Sequence, residues 1–177
     1  LLDLTLKLFY LALEKVVFEP LTQDGEYLTQ VQEHCLRFIY YHQAPLVKEL
    51  AAGLQISNAA ATKLIDRLEK KGLVSREYSR TDRRQIHLQL TPAGIRLLEN
   101  ARRQSLQRLQ AIVERLDPER LVSFEQSLHD FLEAAINNTD TLDQICLRCG
   151  QAHLSECPGN LICRELTGQD RFSNQNK

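Results

Sequence analysis

The stretch Leu46–Gly94, LVKELAAGLQISNAAATKLIDRLEKKGLVSREYSRTDRRQIHLQLTPAG, switches from a helical to an alternating hydrophobic period, and that switch restricts the fold more than any other feature of the chain. Pro45 opens a helix that runs from Leu46 to about Leu54. Gln55 and Ile56 then make a turn. Ser57 is placed to cap the next helix, its hydroxyl accepting from an amide that the first turn leaves without a partner. This next helix spans Asn58 to Lys71, with Ala61, Leu64, Ile65 and Leu68 at helical spacing on one face. Asn58, Ala59, Thr62, Lys63, Asp66 and Arg67 fall on the other face, where the small Ala59 and Ala60 permit close approach to a base-pair edge. Gly72 stops the helix at the position where glycine is favoured. Alternation takes over from Leu73 to Tyr78 and again from Gln85 to Leu90, around a charged tip at Ser79–Arg84. Helix, tight turn, helix and hairpin in that order define a winged helix-turn-helix: mainly α, with a two- to three-stranded β wing.

Charge locates the functional face within this unit. The 177-residue chain has a formal net charge of -1, so bulk charge excludes a protein that coats nucleic acid indiscriminately. Between Lys63 and Arg84, however, eight basic residues (Lys63, Arg67, Lys70, Lys71, Arg76, Arg80, Arg83, Arg84) oppose four acidic ones (Asp66, Glu69, Glu77, Asp82), a local excess of +4. A basic hairpin beside a helix shaped for the major groove is the electrostatic footprint of a duplex-DNA reader. The residues expected at the interface are Ser57, Asn58, Ala59, Thr62, Lys63 and Arg67 on the helix and Arg80, Asp82, Arg83 and Arg84 on the wing.

The flanks are helical and unusually apolar. Residues 1–18 place Leu2, Leu6, Phe9, Leu13 and Val16 on one face, widened by Leu1, Leu4, Leu8 and Leu11, until Pro20 ends the pattern. Residues 27–42 carry Leu28, Val31, Cys35, Phe38 and Ile39 on one side, where Cys35 reads as a small buried hydrophobe. Thr91-Pro92 starts a long helix from Ala93 to about Leu116, and Asp117-Pro118 starts another to about Asn137. Helices 1–18 and 93–137 carry more apolar surface than one small domain can cover, which points to dimerisation with a second copy. No run approaches the ~18–20 apolar residues that a membrane span requires, and no secretory signal pattern is present. These features imply a cytoplasmic protein that does not engage a membrane. Two domains are expected, 1–137 with its DNA-binding core at 46–94, and a cysteine-rich tail at 138–177.

The segment DRLEKKGLV at 66–74, TDRR at 81–84 and LTPAG at 90–94 closely resemble the winged helix of MarR-type transcription regulators, and the resemblance extends over about residues 1–137. It implies a homodimer with interlocked terminal helices, bound to a pseudo-palindromic operator with paired recognition helices in successive major grooves. Within the wing it implies that Arg84 enters the adjacent minor groove and that Asp82 orients it. Sequence-specific regulation of transcription follows as the expected function, and no enzymatic one.

The tail has no counterpart in that family. Four of the five cysteines fall within 18 residues, as Cys146-x2-Cys149-x7-Cys157-x5-Cys163, with His153 between the middle pair. In a reducing compartment such a cluster is more often a metal site than a disulfide framework. Cys146-Leu-Arg-Cys149-Gly150 has the spacing of a knuckle. Cys146, Cys149, His153 and Cys157, or the four cysteines, would then hold zinc; the four cysteines would also suit an iron–sulfur cluster. The site would act as a metal or redox modulator of the dimer. Alternatively it is a structural zinc staple, in a regulator that answers a small organic ligand. A metalloenzyme is disfavoured, since four or five candidate protein ligands with only Glu156 beside them leave little room for substrate. An adaptor that docks its tail on another polypeptide is the third class.

Overall fold

The structure is a computed structural model of the chain, and it describes residues 1–17, 22–23, 26–42, 44–78, 86–149 and 155–170. These residues fall into two compact units, 1–117 and 118–177. The first contains helix α1 (Leu2–Ala12), a π-helical turn (Leu13–Val17), a short hairpin of β1 (Thr22–Gln23) and β2 (Glu26–Tyr27), and helices α2 (Gln30–His42), α3 (Val47–Leu54) and α4 (Asn58–Lys70). The wing strands β3 (Val74–Tyr78) and β4 (Ile86–Leu90) and the long helix α5 (Pro92–Val113) complete it. The second unit holds α6 (Pro118–Ala135), α7 (Thr139–Cys149) and α8 (Pro158–Thr167), so the boundary expected at 137/138 lies inside it. No helix among the described residues is long and apolar enough to cross a membrane.

Side-chain caps mark the starts of α2, α4, α5 and α7. Helix α2 begins at Gln30 rather than at residue 27, because Thr29 and Gln32 cap it reciprocally. The Gln32 amide donates to Thr29 Oγ1 at 3.3 Å, and Thr29 N donates to Gln32 Oε1 at 3.1 Å. Its inward stripe runs through Gln32, Cys35, Leu36 and Ile39; Val31, expected inside, is exposed because it sits beside that stripe rather than on it. Helix α1 ends at Ala12, six residues short of the expected end, and passes into the π-helical turn, whose Val17 is buried and which packs on α5.

The winged unit closes on a small, fully buried core of Leu36, Leu50, Ile65, Leu68, Leu73 and Leu88. Each of these side chains contributes about 2 kcal/mol by leaving water. Gly72, at φ 69°, reverses the chain after α4, with Gly72 N bonded to Glu69 O and Leu73 N to Leu68 O. Strands β3 and β4 pair antiparallel from Val74↔Leu90 to Tyr78↔Ile86. A third edge is added by the residues before α3, through a bridge between Leu46 and His87 and a 2.9 Å bond from Leu88 N to Pro45 O.

Unit two has a core of its own: Ile136, Leu142, Cys146, Ile162 and Cys163. Asn138 caps α7 by accepting from Thr141 N at 2.8 Å. The knuckle expected at Cys146–Cys149 is instead the last turn of α7, since three-residue spacing also continues a helix. Helix α6 has no buried residue and leaves Val122, Phe124, Phe131 and Leu132 exposed.

Candidate functional site

The exposed face of α4 is assembled from its N-terminus upward. Ser57, in extended conformation, accepts from Ala60 N at 3.2 Å, so its hydroxyl holds the first turn in place. Asn58, Ala59, Thr62, Lys63 and Arg67 all stand on the exposed surface, while Ala61, Leu64, Ile65 and Leu68 are buried, as the periodicity required. Thr62 donates its hydroxyl hydrogen to Asn58 O at 2.9 Å, which leaves its oxygen lone pairs facing outward for a donor. Between this face, the start of α3 and the base of the wing lies an open cleft of about 670 Å³, lined by Leu46, Val47, Thr62, Asp66, Arg76 and Tyr78 among others.

Two features of this face escape a reading of the sequence alone. Arg76, one of the eight basic residues of the local excess, reaches from β3 to α4, where it pairs with Asp66 Oδ1 at 2.6 Å and with Glu69. It therefore fixes the wing against the helix and covers two carboxylates of the patch. Glu77 accepts from Gln89 Nε2 at 2.8 Å across the wing. The exposed positive charge on α4 is thus left to Lys63, Arg67 and Lys70. The second feature is His87, whose Nδ1 lies 2.8 Å from Ala44 O and whose strand bridges Leu46, tying the entry to α3 onto the wing. No local pattern marks either residue, because each acts through partners distant in sequence. Arg80, Asp82, Arg83 and Arg84, the expected wing contacts, lie outside the described residues.

The four cysteines of the tail, like Cys35 in α2, are thiols rather than disulfides. Cys146 and Cys163 are buried together in the unit's core, Cys157 is half-buried just before α8, and Cys149 is exposed. Among the described residues no three His, Cys, Asp or Glu side chains come together in an arrangement that could hold a metal ion. His153 lies outside the described residues. The described cysteines by themselves are not gathered into either of the expected ligand sets.

A capped helix presented beside a two-stranded wing, with a second helix crossing behind it, defines a winged helix-turn-helix protein. Residues 28–86, one third of the chain, match the MarR family model. Among curated proteins it is similar to the HTH-type transcriptional repressor MdtR of Bacillus subtilis, 30% identical over 93 residues, which are 52% of this chain. The match spans 59% of MdtR, less than two thirds of that protein. Among solved structures, YusO of Bacillus subtilis superposes with a TM-score of 0.64 at 24% identity, covering 75% of this chain and 93% of YusO. Streptococcus pneumoniae FabT, solved in complex with DNA, has a TM-score of 0.63 at 18% identity, over 76% of this chain and 96% of FabT. At these identities the two structures define the fold.

Proposed function

We propose that this chain is a homodimeric, sequence-specific DNA-binding regulator of transcription, with its C-terminal cysteines as the switch. The observation that carries the reading is the exposed start of α4, small at Ala59 and Ala60 and basic at Lys63 and Arg67, beside an open cleft and a wing. MdtR, a named repressor, and FabT, seen on DNA, support it. Dimerisation is supported by α1 and α6, neither of which buries a single residue. Leu2 is 72% exposed, Leu8 67%, Val122 68% and Phe131 51%. Such faces are covered by a second copy in a symmetric assembly. A pair of recognition helices would then read two half-sites of a pseudo-palindrome. Arg84 would enter the minor groove, with Asp82 orienting it.

The test uses a duplex that the protein itself selects from a random-sequence pool. Arg84→Ala weakens binding to that duplex and flattens the dependence of log K on log salt by about one unit, as for one lost phosphate or groove contact. Unchanged affinity and slope would remove Arg84 from the interface. For the switch, zinc or an iron–sulfur cluster on Cys146, Cys149, Cys157 and Cys163 requires Cys149 to turn inward, or His153 to supply a ligand. Metal analysis and the visible spectrum of protein purified without oxygen decide between a metal centre and a purely thiol-based one.

A further inference from the structure

We propose that Cys146 and Cys157 form a thiol–disulfide couple, oxidised by hydroperoxides and built into the α7–α8 hairpin. Its first basis is position. A Cβ built on Gly159 would lie 3.0 Å from Cys146 Sγ and 3.8 Å from Cys157 Sγ, so the two sulfurs flank a residue that has no side chain to hold them apart. Its second basis is the way Cys157 is held. Asn160, 1% exposed, donates from Nδ2 to Ser155 O at 2.9 Å and to Asp170 Oδ1 at 2.8 Å. Arg164 donates to the same Ser155 carbonyl at 3.2 Å and pairs with Asp170. Asn160 N and Leu161 N both donate to Cys157 O, at 2.8 and 3.0 Å. This polar clasp fixes the segment Ser155–Cys157 at the start of α8, opposite the end of α7.

Of the other two tail thiols, Cys163 shares the buried core with Cys146. Cys163 Sγ lies 3.8 Å from Thr167 Oγ1, one turn along its own helix, and Cys149 is exposed outside the core. Three thiols are not gathered as a metal would require. The pair also divides by access: Cys157 is half-exposed, where an oxidant reaches it, and Cys146 is buried behind it. In the chemistry this implies, the Cys157 thiolate attacks one oxygen of a hydroperoxide. The O–O bond breaks, an alcohol leaves with one proton, and Cys157 becomes a sulfenic acid. Cys146 sulfur then attacks Cys157 sulfur, expelling hydroxide, which takes the Cys146 proton and leaves as water. The thiol pair has lost two electrons and the peroxide has gained them; a dithiol reductant reverses the step by exchange.

Closing an S–S bond of about 2.05 Å across Gly159 draws the first turn of α8 toward α7. Cys146 shares its core with Ile136, the residue that follows α6, so the closure is felt at the end of α6. Transmission to DNA rests on the regulator reading proposed above, whereas the couple itself does not.

The experiment treats the full-length protein, purified without oxygen, with one equivalent of cumene hydroperoxide. Trypsin cleaves after Arg148 and so separates Cys146 from Cys149, and a glutamate-specific protease cleaves after Glu156 and separates Cys149 from Cys157. The expected product is two hydrogens lighter, with its link mapping to the peptides carrying Cys146 and Cys157 and fragmentation placing it on Cys157 rather than Cys163. Cys146→Ser is expected to trap a dimedone-reactive Cys157, and Cys163→Ser to form the link normally. A link through Cys149 or Cys163, no link at all, or stoichiometric zinc or iron on the purified protein would overturn the proposal. If a variant fails to fold, the wild-type map decides alone. Absence of DNA binding in both redox forms would overturn the regulator reading and leave the mapped couple standing.

Discussion

Replacing Gly94 by alanine should destabilise the winged unit, although helix propensity taken alone predicts the opposite. Gly94 lies in the first turn of α5, where alanine is worth about 0.5–1 kcal/mol over glycine. Its added Cβ, however, would sit 2.3 Å from Leu73 O, a backbone atom that cannot swing aside like the end of a flexible side chain. That carbonyl accepts from Thr91 N at 3.0 Å, and Thr91 Oγ1 both donates to Gly72 O at 2.5 Å and accepts from Gly94 N at 3.2 Å. Relieving the clash moves α5 off the junction of α4 and β3 and strains these bonds together. Overpacking costs about 1–3 kcal/mol, and each hydrogen bond weakened adds up to about 1 kcal/mol. Set against the propensity gain, the net loss is about 2–4 kcal/mol. Urea unfolding at matched protein concentration measures it, as a lower midpoint at unchanged slope. A variant as stable as the wild type, or more so, would refute the close approach of α5 to Leu73.

Two further perturbations test the site and the core. Arg76→Ala uncovers Asp66 and Glu69. Both partners are substantially exposed, so stability falls by no more than about 1 kcal/mol. Two bare carboxylates ~8 Å from phosphates should weaken DNA binding by about 1 kcal/mol, roughly five-fold. The triple variant Arg76→Ala, Asp66→Asn, Glu69→Gln should recover that affinity, and failure to recover it would assign Arg76 a direct DNA contact instead. Burial pushes the Cys35 thiol from 9.0 up to about 12, which disfavours its ionised form in the folded state. Its contribution to stability is therefore intact below pH 9 and is lost as pH rises toward 12. Native protein at pH 8 should resist iodoacetamide at Cys35 while Cys149 is alkylated, and equal rates at the two sites would contradict the burial.

The elements legible in the sequence are those decided by neighbours close along the chain. The inward face of α4, its Ser57 cap and its Gly72 stop each follow from contacts within a few residues, and all three stand where the sequence places them. The start of α2 was also written locally, in Thr29 and Gln32, but the apolar run from Leu28 masks that signal. What local pattern could not specify depends on long-range partners: Arg76 reaching back to Asp66 and Glu69, and His87 meeting Ala44. The tail shows the limit of spacing most plainly. Two cysteines three residues apart suit a metal knuckle and also a continuous helix, and burial of Leu142, Cys146, Ile162 and Cys163 in one core favours the helix.

The central claim, a dimer reading duplex DNA through α4 and the wing, is tested most directly by selection from a random-sequence duplex pool with the full-length protein. The expected result is enrichment of an inverted repeat whose half-site centres lie about 10–10.5 base pairs apart, or a multiple of that. A pool that remains unenriched, or one that yields a single asymmetric half-site, would contradict it.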